Sequence, residues 1–304
     1  ISRTSFSLEG SLTTHIWSHP AAFTIKINAP PEITSVSITP AISQHYAEGG
    51  LFGAVDSKTL LYWDFDEGSG SKVFDSTPYN WFAYRDNYND GTDPEWTSGI
   101  FGGALDFEAD DRTYVRLHDT RFAYGTIFDS TTIEAWINPE SNDEDHQQYI
   151  LYSRSPDITM YLDDLYLTVR YCTEEEFNSD ISESCYTFSS SVQVELNSWS
   201  HVAMVFDGTN NTINLYQNKI LVASQETTPG HILYSCQCND FVLGTRYDSS
   251  SERYRFDGKI DEFRISLTNR QPSELLYSDN ANITFSFSTL ELPENQSVII
   301  IPPP

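Results

Sequence analysis

The stretch NSWSHVAMVFDGTNNTINLYQNKILVAS, residues 197–224, carries three short apolar-alternating runs in succession: SHVAMVF (200–206), TINLYQN (212–218) and KILVAS (219–224). Alternation with period two, in residues rich in Val, Ile and aromatics, is the pattern of half-buried strands. The same pattern recurs in TIEAWINP (132–139), LYLTVRYC (165–172), CYTFSSSVQVEL (185–196) and FVLGTR (241–246), with Gly, Asn, Asp and Ser between the runs. Regularly spaced short strands separated by turn residues specify a sandwich or jelly roll. Helical periodicity is nearly absent. Its one candidate is RQPSELLYS (270–278), where Pro272 is placed to start a turn of helix.

The 304 residues hold 44 Asp and Glu against 17 Lys and Arg, a formal charge of −27. Of these, 38 acidic and 15 basic side chains fall within residues 51–276, so the charge belongs to the central part of the chain. Phosphate backbones and anionic lipids attract Lys and Arg, and such a surface repels both. No apolar run reaches the ~20 residues of a membrane-spanning helix, so neither nucleic acid nor membrane insertion is expected. The chain opens on Ile1 and closes on IPPP, which reads as a processed protein or a segment of one.

Cys172, Cys185, Cys236 and Cys238 are even in number and form no CxxC pair, which suits two disulfides in an oxidising setting. Four cysteines allow three connectivities. A Cys236–Cys238 bridge closes a very tight ring, and cross-pairing between Cys172 and Cys185 on one side and the CQC segment on the other is the expectation. N-x-S/T sequons at Asn210, Asn282 and Asn295 fit the same extracellular or cell-surface location.

Residues 1–50 and 280–304 differ from the rest. AAFTIKINAP (21–30), ITSVSITPAI (33–42) and NITFSFSTLELPENQSVIII (282–301) alternate as strands do, bounded by Pro30, Pro31 and Pro293, and each is too short to bury a core alone. The expected organisation is a β-strand extension and linker at 1–50, a jelly-roll domain at 51–279, and a C-terminal strand with a Pro-rich tail at 280–304.

Five segments, in order, resemble the laminin-G-like, concanavalin-A-like jelly-roll family. They are LLYWDFDEGSG (60–70) with VFDSTPYN (73–80); SGIFGGALDFEADDRTYVRL (98–117), with its Gly-Gly-Ala-Leu-x-Phe run; TIEAWINP; NSWSHVAMVFDGTNNTINLYQNKILVAS; and FDGKIDEFRISLTNRQPSELLYS (256–278). The resemblance spans about 60–277. QNK at 217–219 departs from the usual Asp-Gly or Asn-Gly turn. The resemblance implies an all-β jelly-roll β-sandwich of two antiparallel sheets, here with strand-like N- and C-terminal extensions.

FDGKIDEFRI (256–265) poses the sharpest chemical question, because a short apolar strand carries Asp261 and Glu262 side by side. Strict alternation puts Asp261 with Phe263 and Ile265, and Glu262 with Ile260 and Arg264. A carboxylate on the core face needs compensation, and Ca²⁺ supplies it with six to eight oxygen ligands. The resemblance points the same way, since many relatives hold a structural Ca²⁺ near these strands. Asp66, Glu67 and Asp75 are the expected co-ligands of Asp261.

Catalysis is not expected. Glycosidases need two carboxylates flanking the scissile bond, and jelly-roll glucanases carry Glu-x-Asp-x-Glu on one strand. The corresponding run here is Lys259-Ile260-Asp261-Glu262-Phe263, with only the central acid in register. His201, in WSHVAMVF, is expected to make a structural hydrogen bond. Trp81, Tyr84, Tyr88 and Trp96 lie in the polar stretch WFAYRDNYNDGTDPEW (81–96) and are candidates for stacking on sugar rings. The sequence therefore reads as a non-catalytic extracellular protein. The leading expectation is a subunit of a cell-surface assembly or filament, pairing with copies of itself or neighbouring surface proteins by strand exchange through its flanks. The alternative is a glycan-binding adhesin module of a larger protein, and a polysaccharide-active enzyme comes third.

Overall fold

The computed structural model describes residues 24–27, 46–47, 50–51, 54–85, 93–110, 113–117, 129–142, 147–154, 157–177, 180–227, 232–233, 241–246, 254–276 and 298–301. The first strands are β1 (Thr24–Ile27), β2 (Tyr46–Ala47), β3 (Gly50–Leu51), β4 (Thr59–Trp63), β5 (Lys72–Phe74), β6 (Phe82–Tyr84) and β7 (Glu95–Ser98). β8 (Gly103–Phe107), β9 (Val115–Leu117), β10 (Ser130–Pro139), β11 (Gln147–Arg154), β12 (Asp157–Asp163), β13 (Tyr166–Phe177) and β14 (Asp180–Gln193) follow. β15 (Ser200–Asp207), β16 (Thr212–Gln217), β17 (Ile220–Glu226), β18 (Ile232–Leu233), β19 (Phe241–Leu243), β20 (Gly258–Ser266) and β21 (Val298–Ile301) complete them.

Two antiparallel sheets form the jelly-roll sandwich. The first runs β17-β16-β15-β10-β20-β8-β7, with β4 also paired to β20. The second runs β14-β13-β12-β11-β19-β9-β6-β5, with β18 on β13. The opening stretch of sequence makes one meander, β15-β16-β17, as its alternation requires. Between the sheets lies an apolar core centred on three aromatics from both layers. Trp63 of β4 is 5.7 Å from Phe263 of β20 and 5.9 Å from Phe241 of β19, and the latter two are 5.9 Å apart, ring centroid to centroid. Each such ring buries roughly 150–250 Å², and truncating one costs about 3–5 kcal/mol.

The chain divides into two compact units, Gly49–Tyr277 and a second unit made of Ile1–Glu48 with Ser278–Pro304. Within that second unit β1 pairs antiparallel with β21, Thr24 opposite Ile301 and Ile27 opposite Val298. The two flanks thus share a two-stranded sheet.

RQPSELLYS makes one turn of helix from Pro272, of 3-10 type over Pro272–Glu274, and it stops where Leu275 has an extended backbone. Two expectations are corrected. Cys172 is joined to Cys185 rather than to the CQC segment. The two residues stand directly opposite in the β13–β14 register, with Cα atoms 4.1 Å apart, so the hairpin itself sets the pairing. Cys236 and Cys238 lie outside the described residues.

The second correction concerns the faces of β20. Glu134 pairs with Arg264 and Trp136 with Asp261, so Ala135 alone stands opposite Glu262 and Phe263. This β-bulge is accommodated by Glu262 at φ 53°, a left-handed conformation costing a non-glycine residue about 1–2 kcal/mol. The extra residue breaks alternation. Ile260, Phe263 and Ile265 all enter the core, while Asp261 and Glu262 both turn to the outer face of the first sheet.

Candidate functional site

On that outer face the two carboxylates are buried all the same. Residues 99–103 lie over Asp261, whose Oδ2 accepts the backbone N–H groups of Ile100 (2.9 Å) and Phe101 (3.1 Å). The fit requires glycine. A Cβ on Gly99 would stand 2.4 Å from Asp261 Oδ2, and one on Gly102, at φ +67°, would stand 2.0 Å from Asp66 Oδ1. Asp66 Oδ1 in turn accepts the N–H of Gly103 at 2.6 Å. The Glu262 carboxylate accepts a hydrogen bond from the Tyr62 hydroxyl, and Asp64 accepts one from Ser76 at 2.7 Å.

Among the described residues, this cluster of carboxylates has no cationic partner. Asp261 Oδ1 and Glu262 Oε1 are buried and accept no hydrogen bond. Burial, then the neighbouring Asp66 charge, pushes the Asp261 pKa well above the usual carboxylate range, against the N–H groups that favour its anion. Burial and then Asp261 do the same to Glu262, and burial raises Asp64 to about 7.

Of the expected co-ligands, Asp66 belongs to this cluster. Glu67 Oε1 accepts the N–H of Phe74 at 2.6 Å. Asp75 is a loop organiser. It accepts the N–H of Tyr62 (3.1 Å), the N–H of Thr77 (3.0 Å), the Thr77 hydroxyl (2.5 Å) and the N–H of Trp81 (3.4 Å). Among the described residues, no three His, Cys, Asp or Glu side chains converge closely enough to hold a metal ion. The donors suit a hard, oxygen-seeking cation, but the rest of its shell would have to come from backbone carbonyls.

Next to the acidic cluster, a paired network closes the same face. Glu134 Oε1 accepts hydrogen bonds from Arg264 Nε (2.8 Å) and Nη2 (2.5 Å), and Oε2 lies 3.0 Å from His201 Nε2 and accepts the N–H of Leu276 at 2.7 Å. Arg264 also donates to the carbonyls of Ala54 and Glu274, and Trp136 Nε1 to that of Leu276. Burial alone would raise the Glu134 pKa, but Arg264 and His201 hold it at about 2. His201 makes the structural bond its context suggested. Glu134, His201, Arg264 and Trp136 are all buried. Sequence reasoning overlooked Glu134 and Arg264, although both interrupt apolar strands at outward positions.

Among the described residues, the exposed large aromatics Phe74 and Tyr79 both lie on the β5–β6 hairpin. Its loop is shaped by Asp75 and by Asn80 at φ 53°, and it presents Tyr79, 57% exposed, stacked on Trp81 at 4.6 Å with planes 4° from parallel. Trp81 leans on the core, so the stack is held from below. Phe74, 49% exposed, faces Phe82 across the hairpin, and Phe82 meets Tyr84 edge to face at 5.3 Å. Trp96 is a packing residue. Its Nε1 donates to the Gly70 carbonyl at 3.0 Å, and Arg85 lies over its ring at 5.4 Å. Tyr88 lies outside the described residues. Phe74 and Tyr79 were missed from sequence, although the run VFDSTPYNWFAY places both beside Trp81. Asn210 sits exposed in the β15–β16 turn, with its amide donating to Asp207 at 2.7 Å, and Asn282 and Asn295 lie outside the described residues.

A family model matches residues 109–275, more than half of the chain, and the chain belongs to the concanavalin A-like lectin/glucanases superfamily. No curated protein matches it. Among solved structures, domain 4 of AbnA, an extracellular arabinanase from Geobacillus stearothermophilus in complex with arabinotriose, is 19% identical, with TM-score 0.49 over 71% of this chain and 96% of that domain. The binding domain of Paraclostridial Mosquitocidal Protein 1 is 12% identical, with TM-score 0.50 over 71% of this chain and 50% of its own. The botulinum neurotoxin serotype G binding domain is 15% identical, with TM-score 0.50 over 71% and 49%. The chain therefore spans about half the length of the two toxin domains, and at these identities the likeness is one of fold.

Proposed function

We propose that this is a non-catalytic glycan-binding module whose sugar platform is the β5–β6 hairpin. The observation that carries the reading is Tyr79, more than half exposed and held flat on Trp81. A solvated aromatic face on a braced loop binds the apolar face of a pyranose at little entropic cost. Membership in a superfamily of lectins and glucanases supports it. The buried state of Asp261 and Glu262 argues against hydrolysis, because a glycosidic bond cannot reach a carboxylate sealed under residues 99–103. Strand exchange is less well supported, since β1 already has β21 of the same chain as its partner.

Two further parts of the proposal concern setting and stability. The Cys172–Cys185 bridge suits an oxidising, extracellular compartment, and among the described residues no helix is long and apolar enough to cross a membrane. A structural Ca²⁺ ligated by Asp261 Oδ1 and Glu262 Oε1, with the rest of its shell drawn from backbone carbonyls, would neutralise these unpaired carboxylate oxygens. The test of the main reading is retention on a panel of insoluble plant, algal and bacterial polysaccharides. The module is expected to bind at least one of them and release no reducing ends. Turnover that disappears with Asp261→Asn would overturn the non-catalytic reading.

A further inference from the structure

The arms of the same hairpin carry a charge pattern that a neutral sugar leaves unused. Lys72 stands opposite Tyr84, and Tyr84 opposite Arg116 of β9, so the three form one rung across three adjacent strands. Val73 and Ala83 point into the core, so alternation puts Lys72, Phe74, Phe82 and Tyr84 together on the outer face. Lys72 Nζ lies 4.2 Å from the Phe82 ring centroid and 5.5 Å from that of Tyr84.

Against this stands the chain's acidity. Residues 51–276 contain 38 acidic side chains. Lys259 pairs with Asp106 and Glu140, Arg264 with Glu134, and Arg270 with Asp56. Among the described residues Lys72 makes no ion pair, and its ammonium rests on the Phe82 and Tyr84 rings.

We infer that the hairpin selects acidic saccharide chains, with a uronic-acid residue stacked on Phe74 and its carboxylate directed to Lys72. This deepens the glycan-binding reading and rests on it. In a chair pyranose an equatorial carboxylate lies near the mean plane of the ring. Stacking the sugar on Phe74 therefore sends the carboxylate sideways along the sheet, where a lysine two residues away on the same face can meet it. The chain's −27 charge opposes a polyanion at long range. Repulsion beyond a Debye length, about 8 Å at physiological salt, is largely screened, whereas the contact with Lys72 acts within it. Affinity is accordingly expected to be modest and to depend on local cations.

Affinity electrophoresis of the full chain tests this with polygalacturonate, its fully methyl-esterified form, dextran sulfate and a neutral galactan. The expected result is retardation at least tenfold stronger in polygalacturonate than in the methyl ester. Lys72→Gln should abolish that preference without lowering the melting temperature. Equal retention by acid and ester, or an unchanged preference in Lys72→Gln, overturns acid selectivity and leaves glycan binding standing. Retention by dextran sulfate equal to that by polygalacturonate overturns the assignment to carboxylates. No retention in any polymer overturns the glycan-binding reading itself, and this inference with it.

Discussion

Asp75 accepts the backbone N–H of Tyr62 at 3.1 Å and so pins the aromatic hairpin to the strand that enters the core. The same carboxylate gathers two donors from Thr77 and one from Trp81. One side chain thus shapes the loop that carries Tyr79.

Asp75→Asn should be costly, because the amide turns a donor toward groups that are themselves donors. A loss of about 2 kcal/mol or more in urea unfolding is expected, from broken charge-assisted bonds and stranded N–H groups. A change below about 0.5 kcal/mol would remove Asp75 from this role.

Acid stability should depend on Glu134. Its carboxyl titrates near 4.5 when unfolded and about 2 when folded, so its contribution is complete above pH 4.5 and is lost as pH falls toward 2. The size is on the order of 3 kcal/mol. Burial depresses the His201 pKa, which slopes stability in the same direction, since the unfolded histidine takes up its proton first. Glu134→Gln should leave Arg264 buried and unpaired, costing about 3–5 kcal/mol at neutral pH, and should flatten the acid limb of the pH–stability curve. A variant that keeps the wild-type acid limb would contradict the assignment.

Calcium should raise the melting temperature and a chelator should lower it, by mass action on the folded state. Asp261→Asn should abolish the response. An identical melting curve in chelator and in calcium removes the metal from the account and leaves protons to neutralise the cluster.

Non-reducing peptide mapping should yield a Cys172–Cys185 linked pair. Removing that bridge, which closes a loop of 13 residues, should cost roughly 3 kcal/mol. A peptide joining Cys172 to Cys236 or Cys238 would refute the pairing.

These sites differ in how far they can be read from the chain. Strands such as SHVAMVF and TIEAWINP announce themselves, because alternation is a direct consequence of one buried face. The cysteine pairing was also legible, since the strand-like runs LYLTVRYC and CYTFSSSVQVEL put Cys172 and Cys185 on the facing ends of successive strands, but connectivity was argued without register. Asp75 sits in DSTP, a run of turn formers whose side chains bond local amides, and that signal competes with its reading as a metal ligand. The faces of Asp261 and Glu262 were not legible. The bulge depends on a glutamate adopting φ 53°, and nothing in the local sequence marks that residue as the one to do so. Trp81 and Tyr84 were visible as aromatics in a polar stretch. Tyr79 was hidden because only the folded loop brings it flat onto Trp81.

The most direct test of the glycan-binding account is calorimetric titration of the wild-type chain and Tyr79→Ala with oligosaccharides cut from whichever polysaccharide retains the protein. Removing the exposed ring should weaken binding by roughly tenfold, about 1.4 kcal/mol, with the melting temperature unchanged. Equal affinity in the two proteins, or no heat with any oligosaccharide, would contradict it.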